Sequence, residues 1–219
     1  MIRTPSLAAL AASAALLLGG CTTTNNYNYP DKARAAAPAA SETQVAGKAK
    51  NVILFIGDGM GISTVTAARI YAGQKQGQSG EEYVLPFETF DNVALVKTYN
   101  TDAQVADSAG TASAMHTGVK TRIGVLGYGP GVTTGDCASG SGHELGLLGE
   151  EVKQRGLALG IVSTARLTHA TPASVYARSV SRDWEGDTAI PEDQRGRGCS
   201  DIAQQLVAAP FDVALGGGS

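Results

Sequence analysis

The chain has 219 residues, 43% of them hydrophobic, and a formal charge of −3. That is long enough to enclose a sizeable core. The acidic balance, with no basic stripe interleaved with aromatics, argues against nucleic acid as a partner.

Met1-Ile2-Arg3 starts the chain with a positive charge, and the apolar run Leu7 to Leu18 is too short to cross a bilayer. Residues 1–20 therefore read as an export signal. The run closes on Leu18-Gly19-Gly20-Cys21, which resembles the processing box of bacterial lipoproteins. Cleavage before Cys21 and lipid on its sulfur would hold the protein at a membrane of the bacterial envelope, in the periplasm or at the outer membrane. An ordinary secretory peptide that happens to contain a cysteine is the alternative. Residues 21–50 are rich in Thr, Asn and Ala without apolar periodicity and read as a flexible tether, leaving 51–219 as the folded part.

Val52 to Ile56 reads as a buried strand, uninterrupted by polar residues and mostly β-branched or aromatic. Asp58 follows among Gly57, Gly59 and Gly61, ahead of a helix expected over Ile62 to Ala72. Ligands gather beyond the carboxyl ends of strands in open α/β sheets, so Asp58 is placed to meet a cation. A helix cap or turn would also use an aspartate here, but neither requires glycine on both sides. A strand is expected at Val93 to Lys97, and then comes Asp107-Ser108-Ala109-Gly110-Thr111-Ala112, opening a helix over Ser108 to Thr117. A serine hydroxyl needs a base or metal before it becomes a nucleophile. Small neighbours let a substrate approach, and a helix N-terminus favours an anion. An N-cap serine is the plainer alternative.

Gly127 to Gly142 reads as a glycine-rich loop, Glu144 to Arg155 as an amphipathic helix, and Leu157 to Val162 as a second buried strand. Thr168-His169-Ala170-Thr171-Pro172 comes next, and in an extended segment His169 and Thr171 share a face. Together they suit a metal or its bound water, although a hydrogen-bonded histidine is the commoner case. Arg182 is a candidate phosphate clamp because guanidinium pairs bidentately with phosphate oxygens; a surface pairing with Asp183 or Glu185 competes with that reading. A helix over Ser200 to Ala208 and a strand over Asp212 to Gly216 complete an alternation that implies an α/β fold, its mainly parallel sheet covered on both faces.

In this order, Ile56-Gly57-Asp58-Gly59-Met60-Gly61, Asp107-Ser108-Ala109, and His169-Ala170-Thr171-Pro172 with Arg182 resemble the amino-terminal half of the alkaline phosphatase family, supported by Val119-Lys120-Thr121 and Gly216-Gly217-Gly218. The resemblance implies a three-layer α/β/α sandwich, here incomplete, and metal-dependent hydrolysis of small phosphate monoesters through a phosphoserine. By it Ser108 is the nucleophile, Arg182 holds the non-bridging oxygens and Asp107 orients Arg182. It also implies two Zn²⁺ and one Mg²⁺, with Asp58 bridging one zinc and the magnesium, Ser108 meeting metal and Thr171 in the magnesium site. Enterobacterial members carry a carboxylate where this chain has His169, as animal-type members do. Imidazole suits magnesium poorly, so His169 is expected to bind weakly or through water.

The animal-type members also imply a disulfide between Cys137 and Cys199, the two cysteines that lipidation of Cys21 would leave. His116 and His143 do not fall on family ligand positions and are expected to be structural. With so few histidines the zinc sites need further ligands, which family members take from their carboxyl-terminal half. A fragment with negligible activity alone, and a homodimer in the complete enzyme, are the resulting expectations. Sulfatases are disfavoured because Asp107-Ser108-Ala109-Gly110 lacks their Pro and Arg. A phosphodiesterase of the same superfamily and a lipid-anchored protein that binds phosphate esters or anions without turnover remain as alternatives.

Overall fold

The computed structural model describes residues 49–217. The expected signal peptide, Cys21 and nearly all of the tether lie outside the described residues. Contacts divide the chain into residues 1–54 and 55–219. Of the first unit, residues 49–54 are described; they form no regular element, and Val52, Ile53 and Leu54 are exposed.

Two expected strands do not form: Val52 to Ile56 and Val93 to Lys97 are irregular, with Phe55, Val93, Leu95 and Val96 exposed. Apolar, β-branched composition favours a pleated surface only where a neighbouring strand completes the ladder. Neither segment pairs with a strand among the described residues.

The helices follow local signals more closely. Helix α1 spans Ile62–Gln74, and α2 spans Ser108–Thr117 as expected, closing on Gly118 with a φ of 75°. Left-handed backbone of that kind is the usual glycine helix stop. Helix α3 is shorter than expected, Leu148–Gln154. Its missing first turn is held elsewhere: Leu145 N–H donates to the Gly127 carbonyl (2.9 Å), and the Leu145 carbonyl accepts from Arg178 Nε (3.0 Å) and Nη2 (2.6 Å). Such tertiary bonds override helical periodicity. The one-turn helix α4 is Ala170–Ala173, and α5 is Ile202–Ala208, capped by the Asp201 carboxylate accepting from Gln204 N–H at 2.8 Å. Among the described residues no helix is long and apolar enough to cross a membrane.

Strands β1 (Gly160–Arg166) and β2 (Val213–Gly217) pair in parallel, with Gly160 opposite Val213, Ile161 opposite Ala214 and Val162 opposite Leu215. β1 lies three residues later than its expected start, because Leu159 N–H is tied to Asp212 Oδ2 at 2.7 Å before the ladder begins. The parallel pair and its helices form part of the expected α/β fold. Ile161 is buried, while Val162 is 77% exposed and Leu215 is also exposed.

Ile161 joins Ala109 of α2, Leu126, Ala170 and Ala173 of α4, Tyr176, Ala177 and Ile202 of α5 in one apolar cluster. Ala109, Ala170 and Ala173 are small enough to let α2 and α4 come close. A second cluster gathers Val125, Val132, Cys137, Val180, Trp184 and Ile190 beside Cys199. There Cys137 and Cys199 form the disulfide that the resemblance implied, with Cα atoms 5.5 Å apart.

Candidate active site

Asp58 sits in a turn made possible by Gly59, whose φ is 63°, and Gly61 rather than Asp58 takes the N-cap of α1. The Asp58 carboxylate is therefore not spent on the helix. Its Oδ2 accepts from Thr171 Oγ1 at 2.6 Å, across 113 residues of chain. His169 Nδ1 lies 3.9 Å from the same oxygen, too far for a hydrogen bond.

At the start of α2 the capping residue is Asp107, with Ser108 as the first helical residue. Asp107 Oδ1 accepts from Gly110 N–H (3.0 Å) and Asn100 Nδ2 (2.8 Å). Its Oδ2 accepts from Gly124 N–H (3.0 Å) and Arg182 Nη1 (3.1 Å). Burial pushes the Asp107 pKa up, but these four donors outweigh it and hold the carboxyl below its ordinary value. It is an anion that anchors a cation.

Arg182 reaches in the other direction as well, with Nη2 3.1 Å from His169 Nε2. Guanidinium can only donate, so Nε2 is the acceptor and a neutral ring carries its proton on Nδ1. That nitrogen is buried and lacks a hydrogen-bond partner. A ring in this tautomer offers Asp58 and Thr171 a donor rather than a metal ligand.

Five of the expected residues thus meet: Asp107 holds Arg182, Arg182 holds His169, and His169 lies beside the Asp58–Thr171 pair, while Ser108 follows Asp107 as the first residue of α2. Arg182 is not paired with Asp183 or Glu185; Glu185 is taken by Arg166 Nε (2.9 Å) and Nη2 (2.6 Å) and by Thr168 Oγ1 (2.5 Å). Asn100 and Gly124 were not visible as site residues in the sequence. A lone asparagine in a loop carries no motif, and its proximity to Asp107 exists only in space.

Two oxygens, from Asp58 and Thr171, suit a hard cation such as magnesium. Zinc is different. Among the described residues no group of three or more His, Cys, Asp or Glu is placed to hold a metal, short of what a zinc site takes.

The chain belongs to the alkaline phosphatase family, whose profile matches residues 49–219. It is 53% identical over 172 residues to the tissue-nonspecific alkaline phosphatase of Gallus gallus, covering 78% of this chain and 33% of that protein. Against an alkaline phosphatase of Gadus morhua the identity is 49% over 173 residues, or 78% of this chain and 36% of the relative. The chain spans about a third of the length of the curated relatives it matches. The crystal structure of a cold-active alkaline phosphatase from a psychrophilic Shewanella aligns with a TM-score of 0.56 and 27% identity, covering 74% of this chain and 35% of the other.

Proposed function

We propose that the polypeptide carrying this chain hydrolyses small phosphate monoesters through a phosphoserine on Ser108. The observation that carries this reading is the guanidinium of Arg182, fixed between Asp107 and His169 beside the N-terminal residue of α2. An incoming phosphoryl group there would meet free backbone N–H groups at the helix start and a pre-oriented fork of donors. Ser108 directly follows Asp107, the residue that holds that fork, and attack in line would leave charge on oxygens that Arg182 faces. Asp107 keeps Arg182 aimed. Thr171 orients the Asp58 carboxylate.

Asp58 and Thr171 would hold magnesium, with the unpartnered His169 Nδ1 nearby as a hydrogen-bond donor. When bound, the metals supply a lowered barrier to deprotonating the nucleophile and charge neutralisation at phosphorus. The described residues give only part of a zinc donor set. The two zinc ions, a homodimeric complete enzyme, and anchorage at the bacterial envelope through lipid on Cys21 are part of the same proposal. They rest on family resemblance and on the sequence of the first 50 residues.

The test is acid-trapping of labelled phosphate in the full-length, metal-loaded polypeptide, followed by peptide mapping. Label is expected on Ser108 and absent in Ser108→Ala. An unlabelled wild-type protein that still binds phosphate would favour an anion-binding role without turnover.

A further inference from the structure

His116, in the last turn of α2, is 7% exposed and takes no part in the chemistry above. Its Nδ1 lies 2.8 Å from Oγ of Ser174, a fully buried residue at the C-terminal cap of α4. Ser174 Oγ in turn donates to the Thr171 carbonyl at 2.7 Å. A hydroxyl has one hydrogen; committed to Thr171, it leaves only lone pairs for His116. The imidazole must then carry its hydrogen on Nδ1. Burial pushes the His116 pKa down, against a weaker upward pull from the Ala112 carbonyl, so the ring is held in the neutral, single-proton form this bonding needs.

We propose that His116 is a positioning residue: through Ser174 it sets the placement of α4, which carries Thr171, against α2, which carries Ser108. The inference rests on the phosphotransfer reading of the site. Elsewhere α2 and α4 meet through Ala109, Ala170 and Ala173. Methyl contacts are non-directional and define a distance but not a register. A buried hydrogen-bonded chain from helix to helix defines both. It ends on the peptide carbonyl of the residue whose side chain holds Asp58. A small slide between the two helices would therefore move Asp58's partner relative to the nucleophile.

The experiment uses the full-length, metal-loaded polypeptide and two readouts. Nitrogen-15 NMR of the imidazoles is expected to show a slowly exchanging Nδ1–H for His116 that is lost in Ser174→Ala; an Nε2–H tautomer overturns the inference. In rapid-quench labelling, His116→Leu and Ser174→Ala should each slow phosphorylation of Ser108 by roughly tenfold to a hundredfold, the scale set by ångström misplacement of reacting groups. KM for p-nitrophenyl phosphate should change far less. The double variant should be no slower than either single one, because both remove the same bond.

His116→Asn keeps an N–H donor at the same number of bonds from Cα and should recover most of the rate. Unchanged rates in the folded single variants, or His116→Asn as slow as His116→Leu, would overturn the positioning role. If His116→Leu does not fold, Ser174→Ala compared with His116→Asn decides the matter. A wild-type protein that acquires no label on Ser108 would defeat the phosphotransfer reading instead, with the Nδ1–H signal intact.

Discussion

Asp107 is the residue on which most of the site geometry turns. Its carboxylate gathers donors from a loop asparagine, two backbone amides and Arg182, so removing it undoes several bonds together. Asp107→Ala is expected to weaken inhibition by inorganic phosphate about tenfold or more, since a charged hydrogen bond of this kind contributes about 1.5–3 kcal/mol. It should also lower the urea midpoint, because Gly110 and Gly124 N–H lose their acceptor. Gly110 has a separate constraint. A Cβ there would collide with Asn100 Oδ1 and lie 3.1 Å from the Arg122 carbonyl. Gly110→Ala should therefore destabilise the fold by about 1–3 kcal/mol, read by denaturant unfolding. At this scale Asp58, Ser108, Thr171 and Arg182 were legible because each lies in a motif. Asn100 was not, because its role comes entirely from a neighbour seven residues away in a folded loop.

Elements were legible where their signals are local. Helix α2 carries its cap, its small-residue interior and its glycine stop within a dozen residues, and the structure reproduces the expected bounds. Segment Val52 to Ile56 has the composition of a strand, but pairing is a property of two segments, and none pairs with it among the described residues. Helix α3 lost its first turn for a similar reason, Leu145 being claimed by Gly127 and Arg178. The disulfide ties two elements that no local signal connects. It closes a separation of 62 residues, which in the chain-entropy account contributes about 4 kcal/mol. Cys137→Ala with Cys199→Ala should lower the unfolding midpoint accordingly in thermal melts. Phosphate affinity should fall with it, because the cluster around the bridge includes Trp184, two residues beyond Arg182.

The response of the whole molecule to acid is set by groups that fold in an unprotonated state. His116 is buried neutral with its pKa below the ordinary 6.5. The unfolded chain binds that proton first, so stability falls as pH drops below 6.5. Glu185 is held down to about 2 from an ordinary 4.5, chiefly by its hydrogen bond from Arg166 and against some opposing burial. Its contribution is fully present above 4.5 and is lost as pH falls toward about 2. Midpoints of urea unfolding measured from neutral to acid pH should therefore decline in two stages. Glu185→Gln should shrink the lower stage, which it shares with Asp107, and leave the upper one; a variant with the lower stage undiminished would show that the Arg166 pairing does not couple to folding.

By itself the sequence determined the family, the identities of the chemical groups and the helices whose signals are contiguous. Those features depend on residue type and spacing, which a linear chain displays. Only the tertiary structure decided that Asp58 bonds Thr171 rather than capping α1, that Arg182 bridges Asp107 and His169 rather than pairing with Glu185, and which apolar stretches become strands. Each of these is a competition between partners far apart in the chain, and hydrogen-bond geometry resolves it only once the backbone has brought the competitors to within about 3 Å.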